Sequence, residues 1–160
     1  MTEREMRMRR CCFTGHRTQK LRRTEEEIKN DLETAIKQAI ADGYTTFITG
    51  MAYGVDIWAG QIIVQLRKGN PELHLIAAIP FPGFEDRWSS VYKREYRELL
   101  DQVNLVRYLC SRYHSRAYQL RNEWMVDRSS RVIAVFNGSP SGTKNTLDYA
   151  IRYNKMRKFE

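Results

Sequence analysis

A stretch of small, hydroxyl-bearing residues late in the chain has the composition of a phosphate-binding turn. Residues 139–149 read Ser-Pro-Ser-Gly-Thr-Lys-Asn-Thr-Leu-Asp-Tyr, between an apolar run at 132–136 and an amphipathic helical pattern ending near Tyr153. A turn from strand to helix leaves backbone N–H groups pointing outward, and the helix dipole adds positive potential there. A plain capped turn uses the same residue types and is the alternative. The candidate phosphate contacts are Gly138, Ser139, Ser141, Gly142, Thr143 and Thr146.

A similar turn follows the first predicted strand, a short buried strand at residues 9–14 with Cys11, Cys12 and Phe13 at its centre. It reads Thr14-Gly15-His16-Arg17, and the glycine allows a ligand to approach the backbone closely. The His and Arg lie at the carboxyl end of the strand, where α/β folds place ligands, so they are candidates for anion contact. The alternative interpretation is a solvated polar loop.

A third glycine-containing turn follows the predicted strand at 45–49 and leads into a predicted helix at 55–67. Its acidic residue, Asp56, lies in the first turn of that helix, where it is either a carboxylate matched to the helix dipole or a hydrogen-bonding group for a sugar or base. With two glycines rather than three, the turn does not predict a standard nicotinamide site. The candidate ligand contacts are Gly50, Met51, Ala52, Gly54 and Asp56, with Tyr53 as an aromatic neighbour of the base.

Two later segments add candidates. A rigid loop, Pro80-Phe81-Pro82-Gly83-Phe84, closes the apolar strand pattern at 73–79, and Trp88 follows it in a predicted helix at 85–100 with Val91 on the inner face. Trp88 is either a core residue or a platform for a base, and Pro82 is a candidate contact. Arg121 and Asn122, in a predicted helix at 113–131, either face a phosphate or ribose or lie on an exposed helix face.

Strand and helix patterns alternate five times, and connections of this length favour a parallel sheet with right-handed crossovers. The predicted fold class is therefore α/β, a doubly wound domain with a mostly parallel five-stranded sheet and helices on both faces. The helix at 24–42 is the clearest, because Thr24 and Glu27 form a capping box. We expect a single domain over residues 1–160, with 1–8 as a flexible or loosely held arm.

Composition narrows the class of protein. The chain has 160 residues, 42% of them hydrophobic, and no apolar run approaches the ~20 residues of a membrane span. The charged start and the three cysteines, which lack metal-type spacing, lead us to expect a cytoplasmic protein with reduced thiols and no metal site. The net charge of +8 favours phosphorylated ligands or polyanions. Because the basic residues form no block, it supports nucleic-acid binding only weakly.

Five segments in the same order resemble the YpsA-like proteins of the SLOG superfamily. This Rossmann-like group is named for the DNA-processing protein DprA and the cytokinin-activating LOG enzymes. The resemblance implies a nucleotide-type ligand, such as AMP, NAD or ADP-ribose, over the carboxyl ends of the strands, and a homodimer. It runs from about Arg10 to Ile151. It rests on residues 14–17, 50–56 and 80–83, on Arg121-Asn122 with Met125-Val126-Asp127, and on Gly142-Thr143 followed by Tyr149-Ala150.

The resemblance also bears on catalysis. LOG enzymes are phosphoribohydrolases, and their catalytic Glu lies three residues after the threonine of a Gly-Thr pair, where this chain has Thr146. A hydroxyl cannot replace a carboxylate in stabilising an oxocarbenium-like charge. Arg121 matches the LOG arginine, and Asp56 or Asp148 would have to substitute for the missing Glu.

Three hypotheses follow. The first is a nucleotide-binding protein of regulatory or sensing type, the second a LOG-like enzyme acting on nucleoside monophosphates, and the third single-stranded DNA binding as in DprA. The missing Glu argues against the second, and the scattered basic residues argue against the third. The sequence leaves open whether any reaction is catalysed.

Overall fold

Within the residues that the structure describes, six parallel strands form one sheet. The computed structural model describes residues 1–15, 23–135, 142–152 and 156–159. The sheet has the order β4-β3-β2-β1-β5-β6, so the predicted fold class is confirmed and a sixth strand is added. The strands are β1 (Arg10–Gly15), β2 (Thr46–Thr49), β3 (His74–Ile79), β4 (Leu105–Tyr108), β5 (Arg131–Val135) and β6 (Met156–Phe159).

Helices cover both faces of the sheet, as predicted for a doubly wound domain. One apolar core joins the strands to α2, α3 and α4, and a second joins them to α5 and α6. Within the described residues, no helix has the length and apolar character needed to span a membrane. The helices are α1 (Glu3–Arg7), α2 (Glu25–Ala41), α3 (Val55–Arg67), α4 (Ser90–Leu100), α5 (Ala117–Asp127) and α6 (Gly142–Arg152).

Side chains along β1 point alternately to the two faces of the sheet, so this strand contributes residues to both cores. Cys11 and Phe13 belong to the core under α2–α4, and Cys12 belongs to the core under α5 and α6. All three side chains are fully buried, and burial raises the pKa of the Cys11 thiol. The two cysteines therefore act as small packing residues on opposite faces, as the sequence predicts.

Two helix starts show how local capping sets boundaries. Thr24 caps α2 by accepting a hydrogen bond from the Glu27 N–H at 3.1 Å, which confirms the predicted start. Ser89 caps α4 in the same way through the Tyr92 N–H at 3.3 Å. The predicted start of α4 at residue 85 is wrong, because residues 82–87 form turns, and Val91 is half exposed rather than inward.

The strand order places the predicted turns on one edge. β1 lies between β2 and β5, so the direction in which strands are added reverses at β1. Open α/β sheets bind ligands at such a switch point, outside the carboxyl ends of the strands. The segments after β1, β2, β3 and β5 all leave the sheet at that edge, because the strands are parallel.

Candidate functional site

The turn after β2 is held by its own hydrogen bonds. The Thr49 hydroxyl donates to the Asp56 carbonyl at 2.8 Å and accepts from the Met51 N–H at 3.2 Å. Met51 has a φ of 63° and Gly54 a φ of 94°, both in the left-handed region. The Met51 conformation is uncommon for a residue with a side chain, and such residues concentrate at functional sites. The turn delivers Asp56 to the inside of the carboxyl edge.

Asp56 is a buried carboxyl group, with 8% of its surface exposed. Its Oδ2 accepts a hydrogen bond from the Ala52 N–H at 3.3 Å. Burial raises the pKa of Asp56 from 3.8 to about 6, against the opposing effect of the Arg121 charge. Around that pH the group changes from a hydrogen-bond donor to an acceptor-only carboxylate.

Arg121 reaches the same place from α5. It is 6% exposed, and burial lowers the pKa of its guanidinium while the nearby Asp56 opposes that effect. Its Nη1 donates to the Gly50 carbonyl at 2.5 Å, and its Nε donates to the Asn122 side-chain oxygen at 2.8 Å. Arg121 and Asn122 are both buried, so the alternative of an exposed helix face is wrong for them.

Both charged groups approach the backbone at Gly50. A Cβ at this position would lie 2.8 Å from the Arg121 Nη1 and 2.8 Å from the Asp56 Oδ2. The absence of a side chain therefore lets a carboxylate and a guanidinium approach the same stretch of backbone. We call Asp56 and Arg121 the buried charge pair.

Beside the buried charge pair lies an open cleft of about 740 Å³ with aromatic walls. The Arg121 guanidinium carbon lies 5.9 Å from the centre of the Phe84 ring, which joins the pair to the cleft. The cleft also contains Gly83, Asp86, Arg87 and Ser89. Its aromatic residues, here called the aromatic cleft, are Tyr53, Phe81, Phe84, Trp88, Tyr92, Tyr113 and Tyr118.

The rings of the aromatic cleft contact one another. Tyr53 stacks on Tyr92 with ring centres 4.9 Å apart, and Trp88 meets Tyr53 edge-on at 5.2 Å. Phe81 meets Tyr113 at 5.5 Å in an edge-on contact. The walls thus come from the segments after β2, β3 and β4, which end at the same edge of the sheet.

The predicted turns after β1 and β2 also come together. A Cβ on Gly15 would lie 2.7 Å from the Val55 Cβ, so the end of β1 packs directly against the start of α3. Gly15 also pairs with Val135 at the end of β5, and α6 begins soon after, at Gly142. Thr14, Thr143 and Thr146 are buried. The other candidates of these turns, His16, Arg17, Gly138, Ser139 and Ser141, lie outside the described residues.

The remaining predicted residues lie in different parts of the structure. Trp88 and Tyr53 line the aromatic cleft, and Pro82 is exposed in the loop that carries Phe81. Asp148 lies on the exposed side of α6, where it pairs with Lys144 at 2.8 Å. Of the two carboxylates considered as substitutes for the LOG Glu, Asp56 alone lies in the buried charge pair.

Most of the aromatic cleft was not predicted from the sequence. Phe81, Phe84, Tyr92, Tyr113 and Tyr118 were not assigned to a site. One feature of the sequence could have predicted the cleft: three successive segments that follow predicted strands all carry aromatic residues. Because neighbouring parallel strands end at one edge, such residues converge there.

Comparison with known proteins identifies relatives over most of the chain. Residues 11–160 match the YpsA family, described as the YspA SLOG family. The uncharacterized SPbeta prophage-derived protein YoqJ of Bacillus subtilis is 33% identical over 137 residues, which cover 78% of this chain and 80% of that protein. A UPF0398 protein of Halalkalibacterium halodurans is 28% identical over 120 residues, 71% of this chain and 64% of that protein.

Two solved structures share the fold. DprA from Streptococcus pneumoniae matches with a TM-score of 0.65 and 16% identity, over 96% of this chain and 50% of that chain. DprA from Helicobacter pylori, whose structure concerns its single-stranded DNA binding mode, matches with a TM-score of 0.64 and 18% identity, over 98% of this chain and 66% of that chain. At these identities the likeness shows the fold alone. The chain spans 50% of the Streptococcus pneumoniae DprA chain and 66% of the Helicobacter pylori one.

Proposed function

The chain belongs to the YspA SLOG family, and we propose that it is a nucleotide-binding protein of regulatory or sensing type. The observation that carries the proposal is the buried charge pair beside the aromatic cleft, at the carboxyl edge of the sheet. The proposed ligand class is a nucleotide or nucleotide derivative such as AMP, NAD or ADP-ribose.

The buried charge pair supports a role beyond stability. Taking a carboxylate and a guanidinium out of water costs several kcal/mol for each ion, and well-packed apolar residues often serve a core as well. Ionisable groups whose pKa values are strongly perturbed by burial cluster at functional sites. In this proposal Asp56 accepts hydrogen bonds from sugar hydroxyls, and Arg121 supplies positive charge towards the phosphate.

The aromatic cleft supports the assignment of the base. An aromatic ring that stacks on a nucleobase contributes about 1–3 kcal/mol for each base. Trp88 and Tyr53 line the cleft next to the Gly50–Asp56 turn, so a base stacked there places its sugar near the buried charge pair. The phosphate is proposed to lie at the start of α6, next to the turn that the sequence predicts at 139–143, of which residues 139–141 lie outside the described residues.

Isothermal titration calorimetry with AMP, NAD and ADP-ribose tests the proposal. We expect at least one of them to bind, and Trp88→Ala to weaken that binding about fivefold to a hundredfold. Trp124→Ala is the matched control, because Trp124 is partly buried against the other face of the sheet. Folded protein that gives no heat with any of the three would contradict the proposal.

A LOG-like phosphoribohydrolase is the second candidate. It is favoured by one observation, a carboxyl group of raised pKa held beside an arginine at the carboxyl edge. Thr146, in the place of the LOG Glu, is buried in α6 and supplies no charge. Incubation with nucleoside monophosphates, followed by chromatography for free base, tests it. Release of base that Asp56→Ala abolishes would establish the enzyme.

The superfamily resemblance adds a homodimer to the proposal. Light scattering on the purified protein tests it, and a monomer at all concentrations would remove it.

A further inference from the structure

β4 is an edge strand with one open side. Within the described part of the chain it pairs with β3 alone, in parallel. The Leu109 N–H donates to the Ile79 carbonyl at 2.9 Å, so residues 105, 107 and 109 direct their backbone groups towards β3. Because successive residues of a strand direct these groups to opposite sides, those of Val106 and Tyr108 point away from the sheet. The edge therefore offers hydrogen-bond donors and acceptors to another strand.

The side chains of β4 are uncovered as well. All four residues are exposed, by 57% for Leu105, 37% for Val106 and 44% for Tyr108. The register with β3 places Leu105 on the sheet face that carries α5 and α6, and Val106 and Tyr108 on the face that carries α2, α3 and α4. Proteins usually protect an edge strand with charges, proline or a bulge, because exposed apolar edges pair with other chains. In β4 only Arg107 is charged, so the edge is weakly protected.

Charges flank β4 in an order that suits a second copy of the same chain. Asp101 lies four residues before the strand and Arg112 four residues after it. Both are exposed, and neither forms an ion pair within the part of the chain that the structure describes. Antiparallel pairing of two β4 strands brings Asp101 of each copy towards Arg112 of the other. Parallel pairing would instead bring like charges together.

Arg107 determines the register of such a pair. With the outward backbone groups on Val106 and Tyr108, two antiparallel strands overlap most fully when the two-fold axis passes at Val106 or at Arg107. An axis at Arg107 would place two guanidinium groups directly opposite each other, and like charges in that position are destabilising. An axis at Val106 places the two valines opposite each other and Leu105 opposite Arg107 of the other copy. This second register has no opposed like charges.

We propose that two copies of this chain associate through β4, with the two strands antiparallel across a two-fold axis at Val106. The two sheets then form one continuous sheet, and the exposed apolar side chains of β4 are covered on both faces. The inference rests on the proposed function, because it assigns a surface to the homodimer named there. β4 lines no part of the aromatic cleft, so nucleotide binding is expected in monomer and dimer alike.

Sedimentation velocity over a series of protein concentrations tests the proposal. The salt is about 0.15 M, where the Debye length of about 8 Å screens the repulsion between two copies of net charge +8. Two short strands bury little surface, so we expect a dimer that dissociates on dilution. Val106→Lys places two ammonium groups opposite each other and should make the protein monomeric at every concentration. Ile151→Lys is the matched control, because Ile151 is an exposed apolar residue of α6, which packs on β1, β5 and β6.

Cysteine cross-linking tests the register, in a Cys110→Ser background because Cys110 follows β4 closely. Two opposed residues that exchange both backbone hydrogen bonds have Cα atoms about 5.5 Å apart, within the range of about 4.4–6.8 Å that a disulfide spans. Val106→Cys should therefore form a covalent dimer under mild oxidation, seen by non-reducing electrophoresis. Tyr108→Cys is the control on the same face. Its two copies lie four residue steps apart, roughly 13 Å along the strand, and should not cross-link.

The possible outcomes separate this inference from the proposed function. A dimer that Val106→Lys leaves intact, or that Ile151→Lys dissociates instead, overturns the interface and leaves the homodimer standing. Cross-linking of Tyr108→Cys as readily as Val106→Cys overturns the two-fold axis at Val106. A monomer at all concentrations removes the homodimer and the interface together, and binding of AMP, NAD or ADP-ribose by that monomer would still support the ligand site.

Discussion

Replacing Asp56 by Asn is expected to change how stability depends on pH. In the folded protein burial raises the pKa of Asp56 from 3.8 to about 6. A carboxyl group with a higher pKa in the folded state binds its proton more tightly there, so ionisation opposes folding. Its contribution to stability is therefore largest below about pH 3.8 and falls as the pH rises to about 6.

The difference between the unfolded-state and folded-state pKa of Asp56 sets the size of the change in stability. Each tenfold change in proton affinity is worth about 1.4 kcal/mol, so the change from 3.8 to about 6 corresponds to about 3 kcal/mol. Asn is neutral at every pH and keeps an oxygen that can accept from the Ala52 N–H. The stability of Asp56→Asn relative to wild type should therefore rise by about 3 kcal/mol in all as Asp56 goes from fully protonated to fully ionised, and by about 2 kcal/mol of this between about pH 4 and about pH 7.

Urea unfolding of both proteins in steps from about pH 4 to about pH 7 measures this difference. The comparison cancels every other titrating group, and the attraction between Arg121 and the ionised Asp56 is already contained in the folded-state pKa of Asp56. Asp148→Asn is the control for removing an exposed carboxylate. A stability difference between Asp56→Asn and wild type that stays constant over the range would refute the reasoning, since it would show that Asp56 ionises alike in both states.

Three further substitutions test the packing around the site. Gly50→Ala places a Cβ 2.8 Å from both members of the buried charge pair. We expect it to lower the free energy of unfolding by about 1–3 kcal/mol and to weaken nucleotide binding, measured by urea unfolding and calorimetry. Arg121→Ala leaves the Gly50 carbonyl without its donor and Asp56 without its counter-charge, which should cost about 3–5 kcal/mol in the same unfolding assay. Tyr149→Phe removes the 2.6 Å hydrogen bond to Asp127 that joins α6 to the end of α5, and a loss of about 1 kcal/mol is expected in thermal unfolding. A Gly50→Ala protein as stable as wild type would mean that the contacts at Gly50 are loosely packed.

The order of the elements could be predicted from the sequence because local signals agreed with the fold. The near-continuous apolar run at 73–79 is typical of a strand covered on both faces, and β3 is such a strand after its exposed first residue. The capping box at Thr24 marks the first residue of α2 correctly. Connections long enough to hold a helix favour parallel pairing, and the described strands are all parallel.

Other features depend on tertiary contacts that local patterns do not contain. β6 has no apolar run, because its sequence is Met-Arg-Lys-Phe, and pairing with β5 makes it a strand. The predicted start of α4 was too early because Glu85 suits a helix. The Ser89 hydroxyl caps α4, which begins five residues later than predicted, at Ser90. The aromatic cleft combines residues from three segments, so no single window of sequence shows it.

Arg121 illustrates why one part of the site was harder to predict. A basic residue within a helix is usually assigned to solvent, yet Arg121 is buried on the same helix as Met125 and Val126. The Gly50 carbonyl lies beyond the end of β2, so it has no strand partner and needs a donor from elsewhere. Arg121 supplies that donor, which gives it a structural role whether or not a ligand is bound. Substitutions at Arg121 are therefore expected to change stability and binding together, so binding by such a variant must be measured together with its free energy of unfolding.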